Sequence, residues 1–328
     1  MVTLVDKKKD IIGLSNLPSD IIVEVSEEFI KGKNLKKGDS VPFDTLPWEA
    51  ELPNWRIIPG GSSANMIVCA SNQLFLNFGL RNRNGLIGTL GDDVIGSTYK
   101  KASFKNVIDY TTVIKGGRSM VVYVLITPDA ERTQLFNLGV SRDFRLPFSK
   151  MDDFRYFHMT LYEVDANEEK AFEALNYADE HDLKISFDLA APNLISKHID
   201  TINEIAKKAT ILIGNEEEVK AFTKLDAREA VEEMSRKSDV AIVKVGAKGS
   251  YIKKSNGPIH EIPPFKANSI DSTGAGDTYL AGFYLGVLRG YSIERCGLIA
   301  SQLGAMACEV YGGRLNRRCS INDVLLSN

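Results

Sequence analysis

Chemistry that depends on sulfur or imidazole has little to work with in this chain. Its 328 residues hold four cysteines, Cys69, Cys296, Cys308 and Cys319, scattered without Cys-x-x-Cys spacing. That excludes a zinc ribbon and a disulfide framework, and it suits a reducing compartment. Three of the four lie in apolar or helical surroundings and read as small core residues. The four histidines, His158, His181, His198 and His260, share no ligand spacing and are read as non-catalytic. No apolar run approaches the length of a membrane span. Met1–Asp10 carries three lysines but no apolar h-region, so a signal peptide is not expected and the cytosol is the expected compartment. The formal net charge is only −3, which gives no reason to expect nucleic acid or an anionic membrane as partner. No Gly-x-Gly-x-x-Gly follows an early strand with an acid about 20 residues on, which removes a dinucleotide-dependent dehydrogenase. Internal repeats, low-complexity tracts and long linkers are also lacking.

What is present is a rhythm of short apolar runs and amphipathic segments. From about residue 154 onward the runs Phe154–His158, Lys184–Phe187, Thr210–Ile213 and Val240–Val245 are separated by charge-rich stretches of helical length, among them Glu168–His181, Lys197–Lys208 and Glu216–Thr223. Buried strands alternating with helices predict an α/β fold with a doubly wound, mainly parallel sheet flanked by helices. Ile293–Val310 reads as a long apolar-faced helix. Before residue 150, Ile11–Leu14, Ile21–Val25, Met120–Ile126 and Thr133–Leu138 look like strands joined by turns such as Lys115-Gly116-Gly117 and Thr127-Pro128-Asp129. They predict a small β-sheet outside the main stack, a lid built from segments near 14–58 and 112–140. Ser62–Phe78 reads as a helix between them. A single domain over 1–328 is expected.

The most informative run is Asp271-Ser272-Thr273-Gly274-Ala275-Gly276-Asp277, followed at once by apolar residues that can run as a helix to Arg289 with Gly290 as its stop. Gly274, Ala275 and Gly276 leave backbone N–H groups uncovered where a helix dipole is positive, which makes an anion site. Asp277 then stands where negative charge gathers. A base that takes a proton from a hydroxyl, beside an anion hole that steadies a transferring phosphoryl group, explains it. The same residues also suit an ordinary helix start with a carboxylate in its first turn.

The run resembles the Asp-Thr-x-Gly-Ala-Gly-Asp signature of the PfkB/ribokinase family of sugar and nucleoside kinases, with Ser272 in place of the usual threonine. The resemblance implies a ribokinase-like fold, Asp277 as catalytic base and the Gly274–Gly276 backbone as anion hole. Gly60-Gly61-Ser62-Ser63-Ala64-Asn65 allows close approach of a ligand and offers an amide to hydroxyl groups; in the family this motif binds sugar hydroxyls, which carries over to Gly60, Gly61 and Asn65. Asp20, after the first strand, matches the acid that grips two substrate hydroxyls. Asn215 and Glu218 resemble the family's Asn-x-x-Glu motif at a strand end, where a carboxylate holds Mg²⁺ directly or through water. Lys244, Gly246 and Gly249 match the segment that lines the ATP site, with Lys248 pointing to solvent. The family's K⁺ site implies Asp271 and carbonyls between Cys308 and Gly313 as candidates. Leu90–Gly96 is family-like and structural, without chemistry for Asp92 or Asp93. Arg118 is a lid candidate for the transferring phosphate, and Arg132 is expected in a hairpin turn, solvated.

The expected activity is therefore ATP- and Mg²⁺-dependent phosphorylation of a primary hydroxyl of a sugar such as ribose, fructose or a related carbohydrate. A nucleoside is the alternative, because Phe29–Asp39, Thr127–Thr133 and Leu138–Ser141 are similar to the adenosine-kinase-like branch. Against a purine acceptor, only Tyr162 is available to stack a base near the strand Phe154–His158. A non-catalytic ligand sensor on the same fold is the third reading. The resemblance allows monomer or homodimer.

Overall fold

The protein is described by a computed structural model over residues 8–46, 48–129 and 131–326. Residues 1–7, most of the lysine-bearing segment weighed as a signal peptide, and Ala130 of the Thr127–Thr133 stretch lie outside the described residues. Fourteen strands are found among the described residues: β1 (Lys9–Leu14), β2 (Ser19–Glu24), β3 (Ser40–Pro42), β4 (Trp55–Pro59), β5 (Asn84–Gly91), β6 (Val107–Ile114), β7 (Val121–Ile126), β8 (Arg132–Asn137), β9 (Phe154–Thr160), β10 (Lys184–Asp188), β11 (Ala209–Asn215), β12 (Val240–Lys244), β13 (Ser250–Lys254) and β14 (Ile259–Ile262).

Nine of them form one sheet in the order β14-β13-β12-β11-β10-β9-β1-β5-β6. It is parallel from β12 to β6, and β13 and β14 close one edge antiparallel. Both faces are covered, as the continuous apolar runs require: Phe157, Phe187, Leu212 and Val243 are fully buried against one helical layer, and Ile11, Ile213 and Ile242 against the other. The parallel strands end on one side of the sheet, and Thr160, Asp188, Asn215 and Lys244 are the last residues of β9 to β12. Such strand ends are where open α/β sheets hold ligands.

The remaining five strands form a second sheet, β3-β8-β7-β2-β4. Its Ile21, Val23, Tyr123, Leu125 and Leu135 face a small apolar core of their own, joined by Phe29, Ile30 and Trp48. Alternation then turns Asp20, Val122, Gln134 and Phe136 to the other face.

Ile11–Leu14, expected in the small sheet, lies inside the large one between β5 and β9. A short, wholly apolar strand carries no mark of which sheet it joins. β5 and β6 do not stand out in the sequence at all. β5 has glycine at 85, 88 and 91, yet neighbours fill the missing side chains: a Cβ on Gly85 would lie 2.9 Å from the rings of Phe154 and Tyr110, and one on Gly88 2.5 Å from Leu17.

Five helices position the site and its surroundings: α1 (Ser62–Phe78), α2 (Leu161–Ala166), α3 (Glu216–Thr223), α4 (Ala275–Leu288) and α5 (Ile293–Ala307). Cys69, Cys296 and Cys319 are buried thiols and Cys308 is half-buried, all free. His158 is buried beside Ser186, and burial drives its pKa down to about 4, so it stays neutral. Among the described residues no helix is long and apolar enough to cross a membrane.

α4 and α5 meet through glycine. A Cβ on Gly282 would stand 2.8 Å from Ala300 Cα, and one on Gly286 2.7 Å from Cys296 Cα. Backbone atoms cannot yield as side chains do. Gly282→Val is therefore expected to destabilise the protein by about 1–3 kcal/mol, the range of overpacked cores, read as a lower urea midpoint. An unchanged midpoint would mean that the helices separate freely.

Candidate active site

Three segments far apart in sequence converge at the N-terminus of α4. Gly274 caps this helix in the left-handed region, φ +71°. It has no alternative, because a Cβ there would lie 2.3 Å from Gly313 Cα. The Ala275 N–H turns back to the Ser272 carbonyl, and the helical ladder starts only with Thr278 N–H to the Gly274 carbonyl. The N–H groups of Gly276 and Asp277 are thus left for the cavity that both residues line. Of the backbone run expected to form an anion hole, these two are the available donors.

Asp277 is held from α1. Ser62 Oγ donates to one carboxylate oxygen at 2.6 Å and Asn65 Nδ2 to the other at 3.0 Å. Burial raises its pKa; the two hydrogen bonds and Lys244 oppose that, and Asp188 adds to it. Arg314 fixes Asn65 from behind, its Nε donating to Asn65 Oδ1 at 3.0 Å, so the amide can only present its nitrogen to Asp277. The same guanidinium donates to Ser103 Oγ at 2.7 Å, Tyr99 Oη at 2.9 Å and the Gly60 carbonyl at 3.3 Å.

Asp20 sits within β2, facing the Gly60–Gly61 turn. A Cβ on Gly60 would meet its carboxylate at 2.8 Å, and Gly61, at φ +92°, would meet Pro18 and Ser15 at 2.9 Å. Burial raises the Asp20 carboxyl to about 6 against the pull of Arg314 and Arg132. Asn16 lines the same end of the cavity. Its N–H donates to Glu163 and its amide nitrogen to the Tyr162 carbonyl, while its Oδ1 is buried without a partner. An unpaired buried acceptor costs free energy unless a ligand supplies a donor.

On the other side of Asp277, Lys244 reaches Asp188 Oδ2 at 3.2 Å from the end of β12. Its ammonium lies against Gly276, where a Cβ would come within 2.9 Å. Burial works against this charge, but the Asp188, Glu218 and Asp277 carboxylates outweigh it and hold the Lys244 pKa above the ordinary lysine value. Gly246 (φ +58°) and Gly249 (φ +98°) form the turn after β12, and Lys248 is exposed as expected.

Asn215 and Glu218 cap α3 reciprocally. Asn215 N–H and Nδ2 donate to the two Glu218 oxygens at 2.7 and 2.6 Å, and Glu218 N–H donates back to Asn215 Oδ1 at 2.9 Å. Burial raises Glu218 to about 7, with Lys244 opposing. Among the described residues no group of three metal-binding side chains is found.

Two expectations change. Arg132 is not in a turn: it opens β8, and its guanidinium reaches Asp271 Oδ1 at 3.2 Å and Thr273 Oγ1 at 3.1 Å, because the start of β8 lies over the glycine loop. Asp271 also accepts from Thr273 N–H and Oγ1 and from Gly312 N–H, and the Cys308 carbonyl accepts two further N–H groups. Arg118 is exposed on its loop and does not line the cavity.

The cavity, about 1130 Å³, runs from Asp20 and Asn16 past Asp277 to Lys244 and Gly249. Asp20, Gly61, Asn65, Asn215, Glu218, Lys244, Gly246, Gly249 and the run 274–277 all line it; Gly60 stands behind Asp20. Sequence reasoning passes over Ser62, although it lies inside a quoted motif, and over Asp188, whose place at the end of an apolar strand was a usable signal. Asn16 and Arg314 carry no local signal.

The whole arrangement has counterparts in known proteins. The chain is 26% identical to the ATP-dependent ribose-1-phosphate kinase of Halopiger xanaduensis, over 83% of this chain and 88% of the relative. It is equally 26% identical to the nucleoside kinase of Methanothermobacter thermautotrophicus, over 81% and 83% of the two chains. Its fold superposes on the crystal structure of adenosine kinase from Sinorhizobium meliloti with a TM-score of 0.81 at 21% identity, covering 98% of this chain and 99% of that one. Residues 45–318 match the pfkB family carbohydrate kinases; the chain belongs to that family.

Proposed function

We propose that this protein transfers the γ-phosphoryl group of ATP to a primary hydroxyl on a sugar or nucleoside, with Asp277 as the base. The observation that carries the reading is the placement of Asp277. Its carboxylate is buried, oriented by Ser62 and Asn65, and set beside two unpaired N–H groups at a helix N-terminus. A carboxylate raised by burial is a better proton acceptor than an ordinary one, and the neighbouring N–H groups stabilise the charge that develops on the phosphoryl oxygens.

On this reading the residues divide the work. The acceptor hydroxyl faces Asp277, held by Asp20, Asn65 and the free Asn16 oxygen. Asp277 takes the hydroxyl proton while the oxygen bonds to the γ-phosphorus. The bond from that phosphorus to the β,γ-bridging oxygen breaks, and ADP leaves. Lys244 and the Gly276 and Asp277 N–H groups meet the transferring group, and Gly246 and Gly249 let the nucleotide approach the backbone. Three buried carboxylates, Asp188, Glu218 and Asp277, share the single Lys244 ammonium, which favours a divalent cation arriving with the nucleotide. Glu218 and Asp188 would hold Mg²⁺ through water, where it would supply positive charge to the phosphates. No step runs through K⁺. Both sheets are read as one catalytic unit over 1–328, and the free thiols favour a reducing, cytoplasmic setting.

Two measurements test this. Asp277→Asn is expected to lower kcat by about 10²–10⁴, the usual contribution of a positioned base, with the melting curve intact; near-normal turnover would refute the role. Ser62→Ala removes a hydrogen bond that favours the charged form of Asp277. Its pKa then rises further, and because the base acts deprotonated, the acidic limb of kcat/KM moves to higher pH. A limb that stays in place would show that Asp277 does not govern it.

A further inference from the structure

All four acceptors of the Arg314 guanidinium are neutral: Asn65 Oδ1, Ser103 Oγ, Tyr99 Oη and the Gly60 carbonyl. Every nitrogen of the planar fork is engaged. Tyr99 Oη also donates to the Gly60 carbonyl at 2.8 Å, and the Tyr99 ring centre lies 5.1 Å from the guanidinium carbon. The group is therefore tied at once to α1, to the glycine turn before it and to the helix Val94–Ser103. Arg314 itself does not line the cavity, so its part in the site is played through the groups it holds.

What it fixes is which way round the Asn65 amide stands. The two ends of an amide are alike in shape and opposite in chemistry, since the oxygen accepts and the nitrogen donates. Asn65 is 5% exposed, and its amide lies between an arginine that only donates and a carboxylate that, when ionised, only accepts. With Arg314 on the oxygen, the nitrogen faces Asp277. A reversed amide would set oxygen against carboxylate oxygen and leave Ser62 as the sole side-chain donor to the base. The neighbouring Gly313 makes room for the arrangement: a Cβ there would lie 2.5 Å from Asn65 Nδ2, and its backbone touches that of Gly274 at the start of α4.

We propose that Arg314 is a positioning residue for phosphoryl transfer, which sets the rate of the chemical step by keeping the Asn65 amide nitrogen turned to Asp277. This rests on the kinase reading with Asp277 as base, and adds to it a residue that does not meet the substrate. The same charge opposes the effect of burial on Asp20, so loss of Arg314 also weakens acceptor binding. The contribution made through Asn65 is the part that appears in kcat. Lys244, Gly246 and Gly249, at the other end of the cavity, share no hydrogen bond with Arg314, and ATP affinity is independent of it.

A readout that needs no acceptor is the Asn65 side-chain NH₂ pair in a proton–nitrogen correlation spectrum, assigned by its disappearance in Asn65→Ala. The pair is expected to shift in Arg314→Ala and to return when guanidinium ions fill the vacated site. Turnover is followed as ADP release with Mg·ATP, with ribose and adenosine as acceptors. Arg314→Ala is expected to lower kcat at least about 10-fold, the worth of a hydrogen bond to a charged group, with calorimetric ATP affinity unchanged. In an Asn65→Ala background the same substitution is expected to cost less than about 3-fold in kcat, because the two residues act in one chain of bonds. Arg314→Met keeps the packing of the stem and takes the place of the alanine variant if that protein fails to fold. An unchanged Asn65 pair, kcat losses that multiply in the double variant, or ATP affinity that falls in step with kcat would each overturn the proposal and leave the kinase reading standing. Wild-type protein that binds no ATP would instead overturn the kinase reading.

Discussion

A carboxylate buried at the positive end of a helix sets the terms for everything around it. Asp277 lies in a site that burial makes hostile to charge, and the structure offsets this with contacts drawn from three directions. Ser62 and Asn65 come from α1, the ammonium of Lys244 from the end of β12, and the peptide dipoles from α4 itself. None of these helps unless the segments meet within hydrogen-bond distance. The glycines at 274 and 313 allow that, because their backbones touch where any side chain would intrude.

The site divides into two halves of different origin. The nucleotide side is made by the ends of parallel strands and their turns, a rigid frame buried on both faces. The acceptor side is one face of a separate, mixed sheet whose other face closes a small core. Arg132 bridges the two through Asp271, a half-exposed ion pair that salt weakens. Position across that seam thus depends on a contact of modest strength, as suits a part that must admit a substrate.

Much of this was readable in the sequence, for identifiable reasons. Ser62–Phe78 and Glu216–Thr223 are helices with the expected bounds, since each starts at a clear signal, paired glycines in one case and an asparagine–glutamate capping box in the other. The four parallel strands after residue 154 were visible because buried parallel strands are short and largely apolar, whereas the antiparallel pair β13 and β14, with its polar residues, was not. β5 was not, because its packing is supplied by Phe154, Tyr110 and Leu17 rather than by its own side chains. The glycine motifs and Asp277 were legible because their spacing is local. Arg314 lies 249 residues from the Asn65 it orients, and Asn16 is marked only by an oxygen left unpaired after folding. Arg132 was misplaced because nothing in a strand-edge arginine says which loop of another layer it will face.

The touching backbones of Gly274 and Gly313 bear on how such a protein can diverge. Two loops in direct main-chain contact leave no side chain to vary, so the turn that performs the chemistry is closed to gradual change at those points. The cavity-facing side of the small sheet is under no such restriction, since its side chains point into open space and its strands are held together by their opposite face. New acceptors are therefore reached by repainting one surface of five strands while the machinery that moves the phosphoryl group is inherited untouched.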